Sequence, residues 1–394
     1  MNNLNKYIKS NIESEDSDII MMNNFRKNQY ELIEDFFKLF IEYIGQQNNY
    51  YMKFSKIIIR EKLDYFGLTN SQCTEVVVYI ILESDNSEKE FIRLLMPTLL
   101  SEQMFYLNGC FYCPAIYTID YPLVIKKESI KLSSLFNSIT AYFKDDMVTF
   151  TGVNIPINYF ISLFIDDDED LMNKFKDLME KKFKHNFEVP LLDNIIVYFS
   201  NKFNFSGSTK EELIHFINKI FFDRYTYNLY QTCYNETDLT KLIKKGINMY
   251  INNEFYNFVD LNYKRLIFME FLLTPIIKRI SYMAKRAWSG YIDDEIKIDE
   301  RVLIKHFLKT RDVTKKQKGL SGNYLYNITN LYTGILQCKV GMVSPEVENE
   351  PRSIRTIHDS HFGKICTITI SSQNPGRVVS FIPTTKLDVF GRFI

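Results

Sequence analysis

Net charge is the first thing missing: 48 Lys+Arg stand against 48 Asp+Glu. A free nucleic-acid-binding domain is ordinarily basic, so the overall balance argues against that class. Cysteine is sparse. The six (Cys73, Cys110, Cys113, Cys233, Cys338 and Cys366) are scattered through a large chain. That is no disulfide framework, and a reducing compartment is expected. Apolar runs are short: Leu266 to Ile277 is broken by Glu270, well under the ~20 residues that cross a bilayer. The start, Met1-Asn-Asn-Leu-Asn-Lys6, has no apolar signal core. Internal repeats and low-complexity tracts are absent as well. A soluble intracellular protein is the expectation.

With 394 residues the chain is long enough for two or three domains and a sizeable core. Hydrophobic residues at 46% and charged residues at 24% are ordinary for a globular protein. The charge is unevenly placed. From Arg301 onward there are 14 Lys+Arg against 6 Asp+Glu, leaving 34 against 42 upstream. A C-terminal excess of +8 is where a phosphate-facing surface would want it.

Residues 1–23 read as a loosely held terminus. Ile33, Phe36, Phe37, Phe40, Ile41 and Ile44 recur at helical spacing from Tyr30. Lys56–Arg60 and Glu75–Leu82 read as strands. Asn108-Gly109 predicts a tight hairpin between a strand Met104–Leu107 and a second from Cys110, because both turn residues accept positive φ. Cys110-x-x-Cys113 has no second Cys pair to complete a zinc site and lies beyond a hairpin, not at a strand-to-helix junction. Two thiols in a strand is the expectation.

The acidic run Asp166 to Asp170 leads into Leu171, Phe175, Leu178, Met179 and Phe183 at helical spacing, closed by Lys181, Lys182 and Lys184. Acid first and base last complements a helix dipole. Ser208-x-x-Glu211 reads as a capping box. Lys264 to Trp288 reads as a long apolar and basic helix, with Lys278, Arg279, Lys285 and Arg286 near its end. Residues 291–300 read as an acidic connector, and Ser344–Arg352 as an exposed loop.

The densest chemistry lies at Arg355 to Gly376. Arg355, His358, His361, Phe362, Gly363, Lys364 and Cys366 fall within twelve positions, and Asn374 and Arg377 follow. Such residues orient polar ligands. A metal site on His358-x-x-His361 with Cys366 is one alternative, but Asp359-Ser360 and Phe362-Gly363 look like loop and no fourth ligand is evident. A structural turn with incidental histidines is another.

The segment resembles the fork region of the β subunit of multisubunit DNA-dependent RNA polymerases, whose pattern is Arg-x-Val-His-Pro-x-His-aromatic-Gly-Arg-x-Cys-Pro-Ile. Arg355, Ile357, His358, His361, Phe362, Gly363, Lys364, Ile365, Cys366 and Ile368 fall in register with it. The pattern is lost over Thr367–Gln373. It returns after one inserted residue at Asn374 and Gly376, then at Ser380 and Phe390-Gly391. A second, shorter resemblance to the same family's protrusion domain covers Pro97, Phe105, Asn108 and Gly109. There Phe111-Tyr112 replaces the family's acidic-basic pair. Gly319-Leu320-Ser321 and Lys339 resemble the approach to the fork.

The resemblance implies the N-terminal half of a split β subunit, of the giant (jumbo) bacteriophage type. The implied fold is α+β and multidomain: residues 1–140 and 261–320 as protrusion, 141–260 as a reduced lobe, and 321–394 as the fork region completed by another chain. It implies a subunit of a nucleotidyltransferase that is not catalytic alone. Arg355, His358, His361, Lys364, Asn374, Arg377 and Lys339 would face nucleic acid or organise the cleft. The chain itself would bind no cofactor, and Mg2+ would be held by a β′-type partner. Implied partners are the C-terminal β fragment, β′-type subunits, a promoter-specificity factor, DNA and RNA, in the cytoplasm of an infected host. The alternatives are a stand-alone DNA-binding or metal-dependent nuclease protein using His358 and His361, and a non-enzymatic scaffold. An isolated half should expose apolar residues such as Val378, Val379 and Phe381.

Overall fold

The structure is a computed structural model. It describes residues 37, 38, 41, 52–63, 72–82, 87–100, 104–107, 110–114, 116–267 (except 204 and 258), 325–327, 337–340, 358–366 and 378–394 (except 383, 384 and 389). The described residues are mixed α and β, with four sheets among them.

Three long strands form an antiparallel meander: β1 (Met52–Leu63), β2 (Gln72–Leu82) and β3 (Ser87–Pro97). The β-branched run of β2, the central strand of the three, is buried on both faces: Val76, Val77, Val78 and Ile80 are all buried. Both strands expected in this region are present. Of the helix expected from Tyr30, only Phe37, Lys38 and Ile41 are described. They are helical, with Phe37 and Ile41 fully buried.

The Asn-Gly hairpin forms as expected. β4 (Leu99–Leu100), β5 (Met104–Leu107) and β6 (Cys110–Pro114) run antiparallel, with Leu107 opposite Cys110 across the two turn positions. Cys110 and Cys113 lie on β6.

Strand β7 (Ile116–Asp120) leads into the largest described unit. Five antiparallel strands follow in sequence: β8 (Leu123–Lys126), β9 (Ser129–Ser133), β10 (Ser138–Tyr142), β11 (Met147–Phe150) and β12 (Val153–Pro156). Position 141, where the lobe was expected to begin, falls within β10. Alternation fixes the face. Leu123, Ile125, Ile130, Leu132, Ile139, Ala141, Val148, Phe150 and Ile155 are buried under six helices. These are α1 (Ile157–Ile165), α2 (Glu169–Leu178), α3 (Leu192–Phe203), α4 (Lys210–Phe221), α5 (Arg224–Tyr234) and α6 (Leu239–Ile251). Helix α1 is apolar almost all round and sits at the centre, with Ile157, Phe160 and Phe164 fully buried.

The acidic run works as a helix start, with Asp168 as N-cap accepting from Leu171 N–H. Asp166 and Asp167 instead pair with Lys210 of α4 and Lys244 of α6. The turn thereby ties three helices together.

The capping box is one residue later than the sequence suggested. Thr209 accepts from Glu212 N–H, while the Glu212 carboxylate accepts from the N–H groups of Ser208 and Thr209. Both registers offer a hydroxyl and a glutamate, and the buried face of Leu213, Ile217, Ile220 and Phe221 selects this one. Thr209→Ala is therefore expected to cost about 1 kcal/mol, and Ser208→Ala under about 0.5. Thermal unfolding of the two variants distinguishes the registers.

The chain then returns to where it left. After a 3-10 turn at Leu261–Tyr263, β13 (Lys264–Ile267) pairs antiparallel with β7, Lys264 opposite Asp120. Tyr121 N–H donates to Tyr263 O at 2.8 Å, closing the gap. This corrects the helix expected from Lys264. Its first four residues are an entirely buried strand, because β7 offers a ladder that a helix could not use; residues 268–288 lie outside the described set. Of the remaining strands, β14 (Leu325–Asn327) pairs with β6, β15 (Gln337–Val340) runs parallel to β7, and β16 (Val378–Ser380) pairs with β15. The order β13-β7-β15-β16 thus gathers distant parts of the chain into one hub sheet.

The C-terminal residues are seated on this hub. Leu266 N–H donates to Gly391 O at 2.7 Å, and Arg265 bridges to Arg392. Phe381 is 1% exposed and packs on Phe393, their centroids 5.3 Å apart. The expected exposure of Phe381 is overturned: Phe393, in the strap of described residues 385–388 and 390–394, packs on it from within the same chain.

Candidate functional site

His358, Asp359, Ser360 and His361 make one tight turn, with a 3-10 segment Asp359–His361. Its polarity is satisfied internally. Ser360 N–H donates to His358 Nδ1 at 3.2 Å, and Ser360 Oγ lies 2.9 Å from the same nitrogen. His358 N–H donates to His361 Nδ1 at 3.5 Å. The imidazoles thus do the capping that Ser or Asp usually does at such a turn.

The turn is docked on residues 259–261, which lead into β13. His361 Nε2–H donates to Val259 O at 2.6 Å, which fixes the tautomer, since a carbonyl only accepts. Leu261 N–H donates to Ser360 Oγ at 2.9 Å. Asp260 Oδ1 stands 3.7 Å from His358 Nδ1. Burial pushes the His361 imidazole below its ordinary value. The Val259 carbonyl and Asp260 oppose that shift, while His358 and Lys264 add to it.

On its other side the segment is held by backbone. Ile382 N–H donates to Lys364 O at 3.0 Å, Thr385 Oγ1 donates to the same oxygen at 2.9 Å, and Ile365 bridges to Phe381. Gly363 sits at φ 73°, where an L side chain is strained. Phe362 beside it is 67% exposed. A rigid turn therefore holds an aromatic ring out to solvent. The Lys364 ammonium lies over the Phe393 ring, 5.5 Å from its centroid.

Beneath the turn is a buried polar cluster that sequence reading missed. Lys264, 4% exposed, donates to Asp120 Oδ1 at 2.9 Å, and Tyr256 OH donates to the same oxygen. Burial and the adjoining Asp120 carboxylate hold the Tyr256 phenol far above its usual range. No local motif marks these residues. Asp120 is distant in sequence from Tyr256 and Lys264, and they meet because β7 and β13 pair.

Of the residues singled out from sequence, His358, His361 and Lys364 come together in this turn. Lys339 lies on β15, its backbone opposite Val378 on one side and Tyr117 on the other. Arg355, Asn374 and Arg377 lie outside the described residues.

Three of the four ring nitrogens of the histidine pair are engaged within the fold. Among the described residues no group of three or more His, Cys, Asp or Glu could hold a metal ion. Two thiols, Cys73 and Cys233, are pushed up to about 11 by burial, which makes them poor nucleophiles. No helix among the described residues is long and apolar enough to cross a membrane. No protein-family model matches the chain, and no curated protein does.

Proposed function

We propose that this chain is a subunit of a phage-encoded multisubunit DNA-directed RNA polymerase, the N-terminal half of a split β subunit. It forms one wall of the DNA/RNA cleft and supplies no magnesium ligand. Catalysis belongs to the assembled enzyme, where a β′-type partner holds the metal ions for nucleotidyl transfer. The observation that carries this reading is the register from Arg355 to Ile368, in which nine residues fall on specified positions of the fork pattern. It is supported by the conformation of the described residues 358–366: His358 and His361 spend their polarity on positioning a turn, as a cleft-organising motif would. The inserted unit between β7 and β13 is in keeping with a lobe set into a protrusion. The C-terminal basic excess suits a phosphate-lined cleft.

The metal-dependent nuclease alternative needs lone pairs on His358 and His361. Engagement of three of their four nitrogens argues against it.

Purification of the tagged chain from its native source, with mass spectrometry and a transcription assay on the eluate, tests the proposal. Recovery of a second β fragment, β′-type chains and magnesium-dependent RNA synthesis is expected. A protein recovered alone, without such activity, overturns it. Lys364→Ala sharpens the test, because the Lys364 carbonyl makes the anchoring hydrogen bonds, and the ammonium adds only its contact with the Phe393 ring, worth about 0.5–1 kcal/mol. Template-dependent synthesis should fall several-fold and become more salt-sensitive, while the melting temperature stays within about 2 °C.

A further inference from the structure

Phe362 is the most exposed aromatic side chain among the described residues. The exposed rings of Tyr227 and Tyr263 each pack edge-on against a neighbour, Phe222 and Tyr256. Phe362 makes no ring contact among the described residues. A phenyl group has no polar edge to hold water, so leaving it out forgoes burial with no local return. The residues on both sides of it are pinned. His361 Nε2–H donates to Val259 O, and Lys364 O accepts from Ile382 N–H and from Thr385 Oγ1. The ring is therefore presented from a fixed backbone, as a contact residue should be.

Its surroundings fit one kind of ligand. Nothing lies within 4 Å of a Cβ built on Gly363, so the space beside the ring is open to a flat group. Two ammonium groups stem from the same anchor. Lys364 is two residues on, and the exposed Lys386 follows Thr385, whose hydroxyl donates to Lys364 O at 2.9 Å. Neither lysine pairs with a carboxylate among the described residues. Asp359, the exposed carboxylate of the turn, lies on the other side of the ring in sequence. A protein-docking anchor sits amid apolar side chains that exclude water, whereas Phe362 is flanked by His361, Gly363 and Lys364. An aromatic face beside cations is the pairing that holds an unpaired nucleic-acid strand, the ring taking a base and the ammonium groups the phosphates.

We propose, resting on the polymerase reading for why a single strand passes here, that Phe362 is a stacking platform for an unpaired nucleobase, with Lys364 and Lys386 receiving the adjoining phosphates. Every base has a π face, so the contact is indifferent to sequence. Phe362 positions the strand and takes no part in bond-making. A ring face does not distinguish ribose from deoxyribose, so DNA and RNA strands share this chemistry.

Photo-cross-linking tests it. The tagged protein, recovered from its native source with the partners it retains, is irradiated with DNA or RNA oligonucleotides carrying iodouracil, and the cross-links are mapped by mass spectrometry. A cross-link at Phe362 is expected with a single strand and is lost when that strand is annealed to its complement. The series that gives it assigns the source. Phe362→Ala and Phe362→Leu should each lower single-strand affinity about tenfold, whereas Phe362→Trp should stay within about twofold, because leucine is apolar but has no π face. All three should melt within about 2 °C of wild type, since the ring is exposed. Lys386→Gln should weaken binding and flatten its salt dependence.

Unchanged affinity in Phe362→Ala, full affinity in Phe362→Leu, or a Phe362 cross-link that persists on duplex would each overturn the platform. So would loss of a retained protein partner from Phe362→Ala with strand affinity intact, which would assign the ring to a protein contact. Polymerase partners recovered with no effect of Phe362 would sink the platform alone. A chain recovered without them, whose strand affinity still depends on the ring, would sink the polymerase reading alone.

Discussion

Replacing Gly391 by alanine is expected to unseat the C-terminal strap, at a cost of about 3 kcal/mol or more. Gly391 holds φ 77°, which alone costs an L residue about 1–2 kcal/mol. A Cβ there would also overlap the Leu266 carbonyl oxygen and crowd its amide nitrogen. That oxygen belongs to β13 and cannot move without disturbing the pairing with β7. Gly363 supplies an internal control. It has nearly the same φ, 73°, but nothing lies within 4 Å of its would-be Cβ. Gly363→Ala should show the torsional cost only, about 1–2 kcal/mol. Equal losses in a denaturant titration of the two variants would mean that steric fit on β13 is not what seats the strap.

Asp120→Ala is expected to cost about 2–3 kcal/mol, a buried-pair loss reduced because the Asp120 side chain is 33% exposed. The variant leaves Lys264, 5% exposed at its side chain, with a buried charge and takes the acceptor from Tyr256. Lys264→Met should be milder, about 1 kcal/mol or less, since a well-packed apolar replacement removes the desolvation cost along with the attraction. Combining the two should recover most of the Asp120→Ala loss. A single Asp120→Ala variant as stable as wild type would show that the cluster does not hold β7 to β13.

What was legible in the sequence was local. Asn108-Gly109 between apolar runs forced a hairpin because few dipeptides accept its turn geometry. The Val and Ile run of β2 had no competing helical period. The acid-first run Asp166 to Asp170, followed by apolar residues at helical spacing and closing lysines, read as a helix start over a metal cluster. The capping box slipped by one because Ser208 and Thr209 each head an equivalent pattern, and the choice was made by burial of Leu213 and Ile217. Lys264–Ile267 was misread for a deeper reason. Its residue types suit helix and strand alike, and a partner from the distant segment 116–120 decided the matter. The site divides in the same way. His358, His361 and Lys364 stood out by type and spacing, whereas Asp120, Tyr256, Asp260 and Lys264 carry no signal until the hub sheet brings them together. Phe381 was expected to be exposed because nothing in residues 385–394 announces that they fold back over it.

The closure of β7 on β13, with Tyr121 bonded to Tyr263, makes everything from β8 to α6 the loop of a hairpin. A loop whose stem is already paired can change length at small entropic cost, since closure grows only with the logarithm of its size. The inserted unit can thus shrink, grow or be exchanged while the stem, and the histidine turn seated on it, keeps its geometry. Evolution acting on such a chain has a module with two fixed terminals a single hydrogen bond apart.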